Sequence, residues 1–270
     1  MRIRALVVAA SGALALSALA VPAAQAAPTA APNVTFSNVK VNAGKAVVVG
    51  PTAKVTVTAT YTVTKPAGLN ASSFDSGPML YRGTALNESS EIIAGDEPGT
   101  CRAASTTVLN CTAKIQFRPT PSSDYDDLAN SQAGTWRVGA LAVPHNATGE
   151  SDLKWQSNLG TVKVLRQAKL TADATPEPVK KGKTLTITGK LTRANWDTGK
   201  FAGYAAQPVK LEFKKKGATA YTTVKTVKTS STGVVKTTVK ASADGYYRYS
   251  FAGATTTSAA SSSGDFVDVK

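Results

Sequence analysis

An all-β chain arranged as two tandem β-sandwich domains behind a cleaved leader is what this sequence predicts, and three observations carry the prediction. Apolar and hydroxyl-bearing residues alternate with period two through segment after segment. Glycine and proline punctuate those segments, and 244 residues remain after a leader of 26, more than one sandwich needs.

The leader comes first. Arg2 and Arg4 precede an apolar run from Ala5 to Val21, followed by Pro22 and the small-x-small triplet Ala24-Gln25-Ala26, the pattern of a secretory signal peptide over residues 1–26. The run is too short, and too closely followed by a cleavage site, to span a bilayer. No later stretch approaches the roughly 20 apolar residues that a transmembrane helix requires. No cysteine precedes Cys101, which excludes a lipid-bearing cysteine at the cleavage site. The ending Gly264–Lys270 carries neither a sorting motif nor an apolar tail. The expectation is an exported protein, released or held non-covalently at the cell surface.

Residues 27–166 read as the first domain. Val55, Val57, Ala59, Tyr61 and Val63 alternate with Lys54, Thr56, Thr58, Thr60 and Thr62, so one set faces a core and the other water. Ala113, Ile115 and Phe117 repeat the pattern, as do Trp136, Val138 and Ala140 after the Ala133-Gly134-Thr135 turn, and Thr161 to Leu165. Pro66-Ala67-Gly68, Ser76-Gly77-Pro78 and Glu97-Pro98-Gly99 read as breaks or turns between strands. Cys101 and Cys111 form the one possible disulfide. Ten positions apart, they suit a local staple across a hairpin, and a redox pair would need the Cys-x-x-Cys spacing that is absent.

Residues 167–270 read as the second domain, with Asp173–Pro178 a linker or an interrupted edge strand. Leu185, Ile187 and Leu191 face one way; Val209, Leu211 and Phe213, then Val235, Thr237, Val239 and Ala241, then Tyr247, Tyr249 and Phe251 follow the same rule. Tyr221–Thr229 breaks it, because Val224 and Val227 are three apart, and a bulge restores the alternation. With Lys169–Asp173 and Phe266–Lys270 the segment holds about seven short strands in roughly 100 residues, the signature of an immunoglobulin-like sandwich. Asp244-Gly245-Tyr246-Tyr247 opens the next-to-last strand, where such folds place a tyrosine that bonds to backbone. Tyr247 is the candidate, with Tyr246 and Tyr249 as alternatives.

Charge is uneven. Residues 27–166 hold 12 Lys/Arg against 10 Asp/Glu, and residues 167–270 hold 17 against 7. For an exported chain the matching partners are anionic cell-wall polymer or extracellular polysaccharide, drawn by non-specific electrostatics. Lys180, Lys181 and Lys183, with Lys214, Lys215 and Lys216, are the candidate contacts, set against the plainer reading that lysines fill the solvent faces of strands. No aromatic interleaving of a nucleic-acid fold accompanies them, so no specific nucleic-acid partner is expected. Trp196, Phe201 and Tyr204 crowd one loop. Exposed, they contact a ligand; packed inward, they plug the end of the sandwich, which the rarity of large exposed aromatic patches favours.

Catalytic chemistry finds little support. His145 is the one histidine, in Val143-Pro144-His145-Asn146, and no Gly-x-Ser-x-Gly turn presents a nucleophile. Ser37-x-x-Lys40 and Ser151-x-x-Lys154 are short matches without a Lys-Thr-Gly companion, and zinc lacks a ligand set. Calcium needs six to eight oxygens. Asp124, Asp126 and Asp127, near Asn130, are its densest candidate; Asp96 with Glu97 and Asp265 with Asp268 form lesser acidic turns. None matches an EF-hand loop or a glycine-rich nonapeptide repeat, which favours a solvated turn, or the cap of one helical turn through Asp127-Leu128-Ala129, over a metal site.

The block Ala174–Leu191, with Arg193–Trp196, Gly203-Tyr204, Lys210–Phe213 and Gly264–Lys270, resembles a group of secreted streptomycete proteins of poorly known role. The likeness extends to the leader and, more weakly, to Val39–Asn42 and Ala133–Trp136. Some relatives are labelled calcium-binding, and that property is an implication of the resemblance alone. The expectation is therefore a non-enzymatic binding or structural protein of the extracellular space or cell envelope, with a calcium-dependent protein as the alternative.

Overall fold

A computed structural model describes residues 30–119 and 128–270. Its strands are β1 (Thr35–Val41), β2 (Val47–Val49), β3 (Val55–Thr64), β4 (Phe74–Tyr81), β5 (Ile92–Ile93), β6 (Thr100–Ala103) and β7 (Val108–Phe117). There follow β8 (Gly134–Pro144), β9 (Lys154–Gln156), β10 (Thr161–Arg166), β11 (Ala168–Leu170), β12 (Asp173–Thr175) and β13 (Thr184–Asn195). The last are β14 (Lys200–Gly203), β15 (Pro208–Lys215), β16 (Thr222–Lys228), β17 (Val234–Lys240), β18 (Gly245–Phe251), β19 (Ala260–Ser261) and β20 (Asp265–Val267). Short 3-10 turns are the helical elements among the described residues, and no helix there is long and apolar enough to cross a membrane.

The fold is all-β, in four sheets. One holds β1-β3-β7-β6 and another β2-β10-β8-β4-β5 with β9 beside β8. A third holds β11-β13-β12 with β14 and β17 also on β13, and the fourth β16-β15-β18-β19 with β20 on β18. The chain passes from one sheet to the other between β1 and β2, β2 and β3, β3 and β4, β5 and β6, and β7 and β8, and again between β14 and β15, β16 and β17, and β17 and β18. These are the Greek-key connections of tandem immunoglobulin-like sandwiches. Two compact units emerge. One comprises the described residues up to Lys45 with Thr56–Gln116 and Trp136–Val162; the other comprises Ala46–Val55, the described part of Phe117–Thr135, and Lys163–Lys270.

In the first unit the period-two pattern becomes burial. Val57, Ala59, Tyr61 and Val63 of β3 and Leu109, Cys111, Ala113 and Ile115 of β7 point into the core while the threonines and lysines between them face out. The Tyr61 hydroxyl crosses to the facing sheet, donating to the Ser76 carbonyl at 2.9 Å, and burial raises its pKa. Cys101 and Cys111 stand opposite each other on β6 and β7 and are bonded, with Cα atoms 4.1 Å apart. Ser76-Gly77-Pro78, read from sequence as a break, lies inside β4 instead, with Pro78 opposite Ala140 of β8. The Ser76 carbonyl points away from β8, toward the N–H of Gly99. Pro78 is two residues on, so its nitrogen points the same way, where β5 is already finished, and the missing donor costs no ladder bond.

The second unit is organised on β13. β11 and β12 pair with its two halves along one edge, and β14 and β17 along the other. Asp173–Thr175 is thus strand, paired with Thr186–Thr188, and the interruption falls at Thr171-Ala172. Gly189 is required there, because a Cβ would stand 2.2 Å from the Thr171 carbonyl oxygen. The bulge expected in Tyr221–Thr229 is present: Leu211 opposes Lys225 and Glu212 opposes Thr223, so Val224 is the extra residue and is exposed. The tyrosine that bonds across is Tyr249, whose hydroxyl donates to the Ile187 carbonyl at 2.9 Å with the side chain fully buried. Tyr247 is also buried and packs on Phe213 with ring centres 4.7 Å apart.

Two stability measurements test these assignments. Tyr249→Phe removes a buried hydrogen bond and is expected to cost about 1 kcal/mol in chemical denaturation, with Tyr247→Phe costing less. Replacing Cys101 and Cys111 together by alanine opens a short loop and is expected to cost somewhat under about 3 kcal/mol, with the circular dichroism spectrum of a folded β protein retained.

Candidate functional site

The two candidate lysine groups, separated by 31 positions between Lys183 and Lys214, are brought to one end of the last sandwich, where five of the six lysines are exposed. The Lys181 N–H donates to the Lys270 carbonyl at 2.7 Å, and Val179 is bridged in parallel to Val269. The Val269 N–H donates to the Asp244 carboxylate at 2.9 Å, and the Lys216 N–H to the Asp244 carbonyl at 2.9 Å. Lys215 and Val267 flank Gly245 on either side of β18. The C-terminal segment is therefore the seam that brings the two lysine groups together. Lys180, Lys181, Lys183, Lys215, Lys216 and Lys270 are exposed there. Asp244 and Asp268 each meet a lysine, Lys216 at 3.7 Å and Lys270 at 3.4 Å, leaving cations in excess.

Lys214 is half-buried on the adjoining outer face of the sheet, and its surroundings are aromatic. Its ammonium lies 5.1 Å from the centre of the Tyr221 ring and 5.0 Å from that of Tyr246. Tyr246 packs on Phe266 at 5.2 Å, and the Lys216 ammonium lies 5.6 Å from the Phe266 ring. The Arg248 guanidinium sits 3.8 Å from the Tyr221 ring centre and pairs with Glu212 at 2.7 Å. Rings under these cations hold them by their negative π-faces, so the charges stay in place with their side chains ordered. Sequence marked none of these rings as a partner of the lysines: Tyr246 entered only as an alternative for the tyrosine that bonds to backbone, and Tyr221 and Phe266 lie 45 residues apart and are brought to either side of β18 only by the fold.

Trp196, Phe201 and Tyr204 are dispersed by the fold. Trp196 is fully buried and its indole N–H donates to the Val49 carbonyl at 3.3 Å, so its ring is not available to a ligand. Phe201 is partly buried beneath the Lys169 ammonium, 4.1 Å from the ring centre. Tyr204 meets Phe251 edge-on at 5.8 Å and carries the Arg193 guanidinium at 4.0 Å. Asn130, noted in sequence only for its closeness to acids, clamps this loop. Its amide donates to Asn195 at 2.7 Å and to the Asp197 carboxylate; its own carbonyl accepts the Trp196 N–H at 3.0 Å. Beside it Arg166 is buried, its Nε donating to the Ala194 carbonyl at 2.6 Å. Loss of solvent, with repulsion from Arg193, lowers its pKa to about 10.

Asp124, Asp126 and Asp127 lie outside the described residues. Among those described, no group of three or more His, Cys, Asp and Glu is arranged to hold a metal ion. Asp265 holds β12 in place by accepting the Ala174 N–H at 2.7 Å, and burial, then Asp265 and Asp173, raise the Glu177 pKa. Asp152 accepts the N–H groups of Thr148 and Gly149, and the first of these bonds does most to lower its pKa. His145 is more than half exposed, with Nε2 3.3 Å from Asp75.

No family model matches the chain, and no curated protein does. Among solved structures it is similar to the D0-D1 domain of intimin, at 15% identity over 86% of this chain and 97% of that one, with a TM-score of 0.26. It is also similar to the D00-D0 domain of intimin, at 16% identity over 86% and 99%, TM-score 0.27. Three N-terminal domains of the bacteriophage RB49 outer capsid protein Hoc match at 11% identity over 88% and 70%, TM-score 0.31. Scores of this size carry no function from those proteins to this chain.

The Asn130 clamp has a direct test. Asn130→Ala is expected to cost about 1–2 kcal/mol, read as a lower denaturant midpoint at unchanged slope, because two partly buried hydrogen bonds and an exposed one are lost at once.

Proposed function

We propose that this is an exported, non-enzymatic binding protein of the extracellular space or cell envelope, and that the basic end of its last sandwich retains it on anionic wall polymer. The observation that carries the reading is the seam of Lys181, Val269, Lys270 and Lys216 around Asp244, which gathers separate lysine groups onto one surface. The leader in residues 1–26 and the excess of 17 Lys/Arg over 7 Asp/Glu after residue 166 support it. A polyanion needs only a row of fixed cations, and each phosphate or carboxylate neutralised releases a counterion, so attraction weakens steeply with salt.

Binding of the full mature chain to purified anionic wall polymer is expected to fall linearly in logarithm against the logarithm of salt concentration. Reversing Lys181, Lys215 and Lys216 to glutamate is expected to weaken it by about tenfold or more at low salt. Binding that persists unchanged at high salt overturns the proposal. Melts of the same chain with calcium and with chelator separate this reading from the calcium-dependent alternative that the sequence resemblance implies: they coincide here, and diverge there.

A further inference from the structure

The first unit contains a cavity of about 170 Å³ over the outward face of β4 and β8. On that face Asp75, Gly77 and Met79 of β4 stand opposite Val143, Leu141 and Gly139 of β8. Met79, Leu141 and Ile92 are buried among one another in a small apolar cluster of their own, with Val143 packed against it. The hole in the cluster lies at Gly77. A Cβ built on Gly77 meets no atom within 4 Å, whereas one on Gly139 would collide with Leu86 at 2.6 Å and with the Gln156 carbonyl at 2.8 Å. One glycine on this face is thus roofed by its neighbours, and the other opens onto the cavity.

Size and polarity define what fits. An apolar cavity of about 150 Å³ accommodates a benzene ring, and drug-sized ligands need about 300 Å³ or more. The occupant is therefore one ring or a short branched chain. Around the cavity stand Asp75, Asp96 and Glu97, in a chain whose net charge is +14. Lys114 also borders it, with its ammonium turned to the Thr58 hydroxyl at 2.7 Å. Carboxylates at the mouth of an apolar hole favour a ligand that is greasy at one end and cationic at the other.

We propose that this cavity is a binding site for small apolar ammonium compounds, the hydrocarbon seated over Gly77 between Met79, Ile92, Leu141 and Val143, and the ammonium among the rim carboxylates. The site stands apart from the polymer reading and survives its failure. The probes are benzylamine, protonated at neutral pH, benzyl alcohol and benzoate, titrated into the full chain and followed by calorimetry and methyl NMR. Benzylamine is expected to bind saturably, about threefold or more tighter than benzyl alcohol, with benzoate weakest, the scale of charge pairs at a partly exposed site. Gly77→Val fills the hole without demanding an unusual backbone and is expected to abolish binding of all three at an undiminished melting temperature. Asp75→Asn with Glu97→Gln is expected to bring benzylamine and benzyl alcohol to equal affinity. In the unsubstituted protein the shifted methyls are those of Met79, Ile92, Leu141 and Val143, a readout that holds even where Gly77→Val fails to fold. Absence of saturable binding, benzoate binding as tightly as benzylamine, or methyl shifts elsewhere overturns the proposal.

Discussion

Each sandwich is pinned by one buried tyrosine hydroxyl that crosses the core to a backbone carbonyl of the facing sheet: Tyr61 to Ser76 in the first, Tyr249 to Ile187 in the second, both at 2.9 Å. Apolar contact between sheets is tolerant of sliding, since oil packs on oil in many registers. A hydroxyl that is stripped of water must find an acceptor at a fixed length and direction, so the bond selects one spacing and one offset of the two layers. The remaining core then fills around that choice, Phe36 against Tyr61 and Tyr247 against Phe213.

Much of this was legible in the sequence wherever the signal is local. The alternation in β3, β7, β13 and β15 is a property of adjacent residues, and it mapped directly onto burial. Even the defect at Val224 announced itself as two valines three apart. The errors arise where a residue's meaning depends on what lies across the sheet. Pro78 reads as a breaker until the pairing shows its nitrogen on the side of β4 away from β8, past the end of β5. Tyr247 and Tyr249 have equal parity on β18, and only the position of Ile187, 62 residues away, decides which hydroxyl is bonded. Short strands such as β2, β5 and β9 carry too few residues to show any period.

The candidate sites were less legible, for the same reason. Lysine groups are visible in sequence, but their gathering requires backbone bonds through Val269 and Lys270 to two separate turns. Trp196 lies in a loop rich in polar residues, yet Val49 and Asn130 draw it wholly inside. The cavity at Gly77 has no sequence signature, because Gly139 on the neighbouring strand looks the same and is filled.

The Cys101–Cys111 bridge joins neighbours within a hairpin, and this has a mechanical consequence. In a molecule tugged by its ends, the cross-link withholds only the contour it encloses, about 35 Å for ten residues at roughly 3.3–3.6 Å each. Nearly all of the polypeptide remains free to pay out as tether. The parallel pair of β2 and β10, over Val47–Val49 and Val164–Arg166, lies outside the enclosed loop, so its hold depends on its own ladder and packing and gains nothing from the bridge.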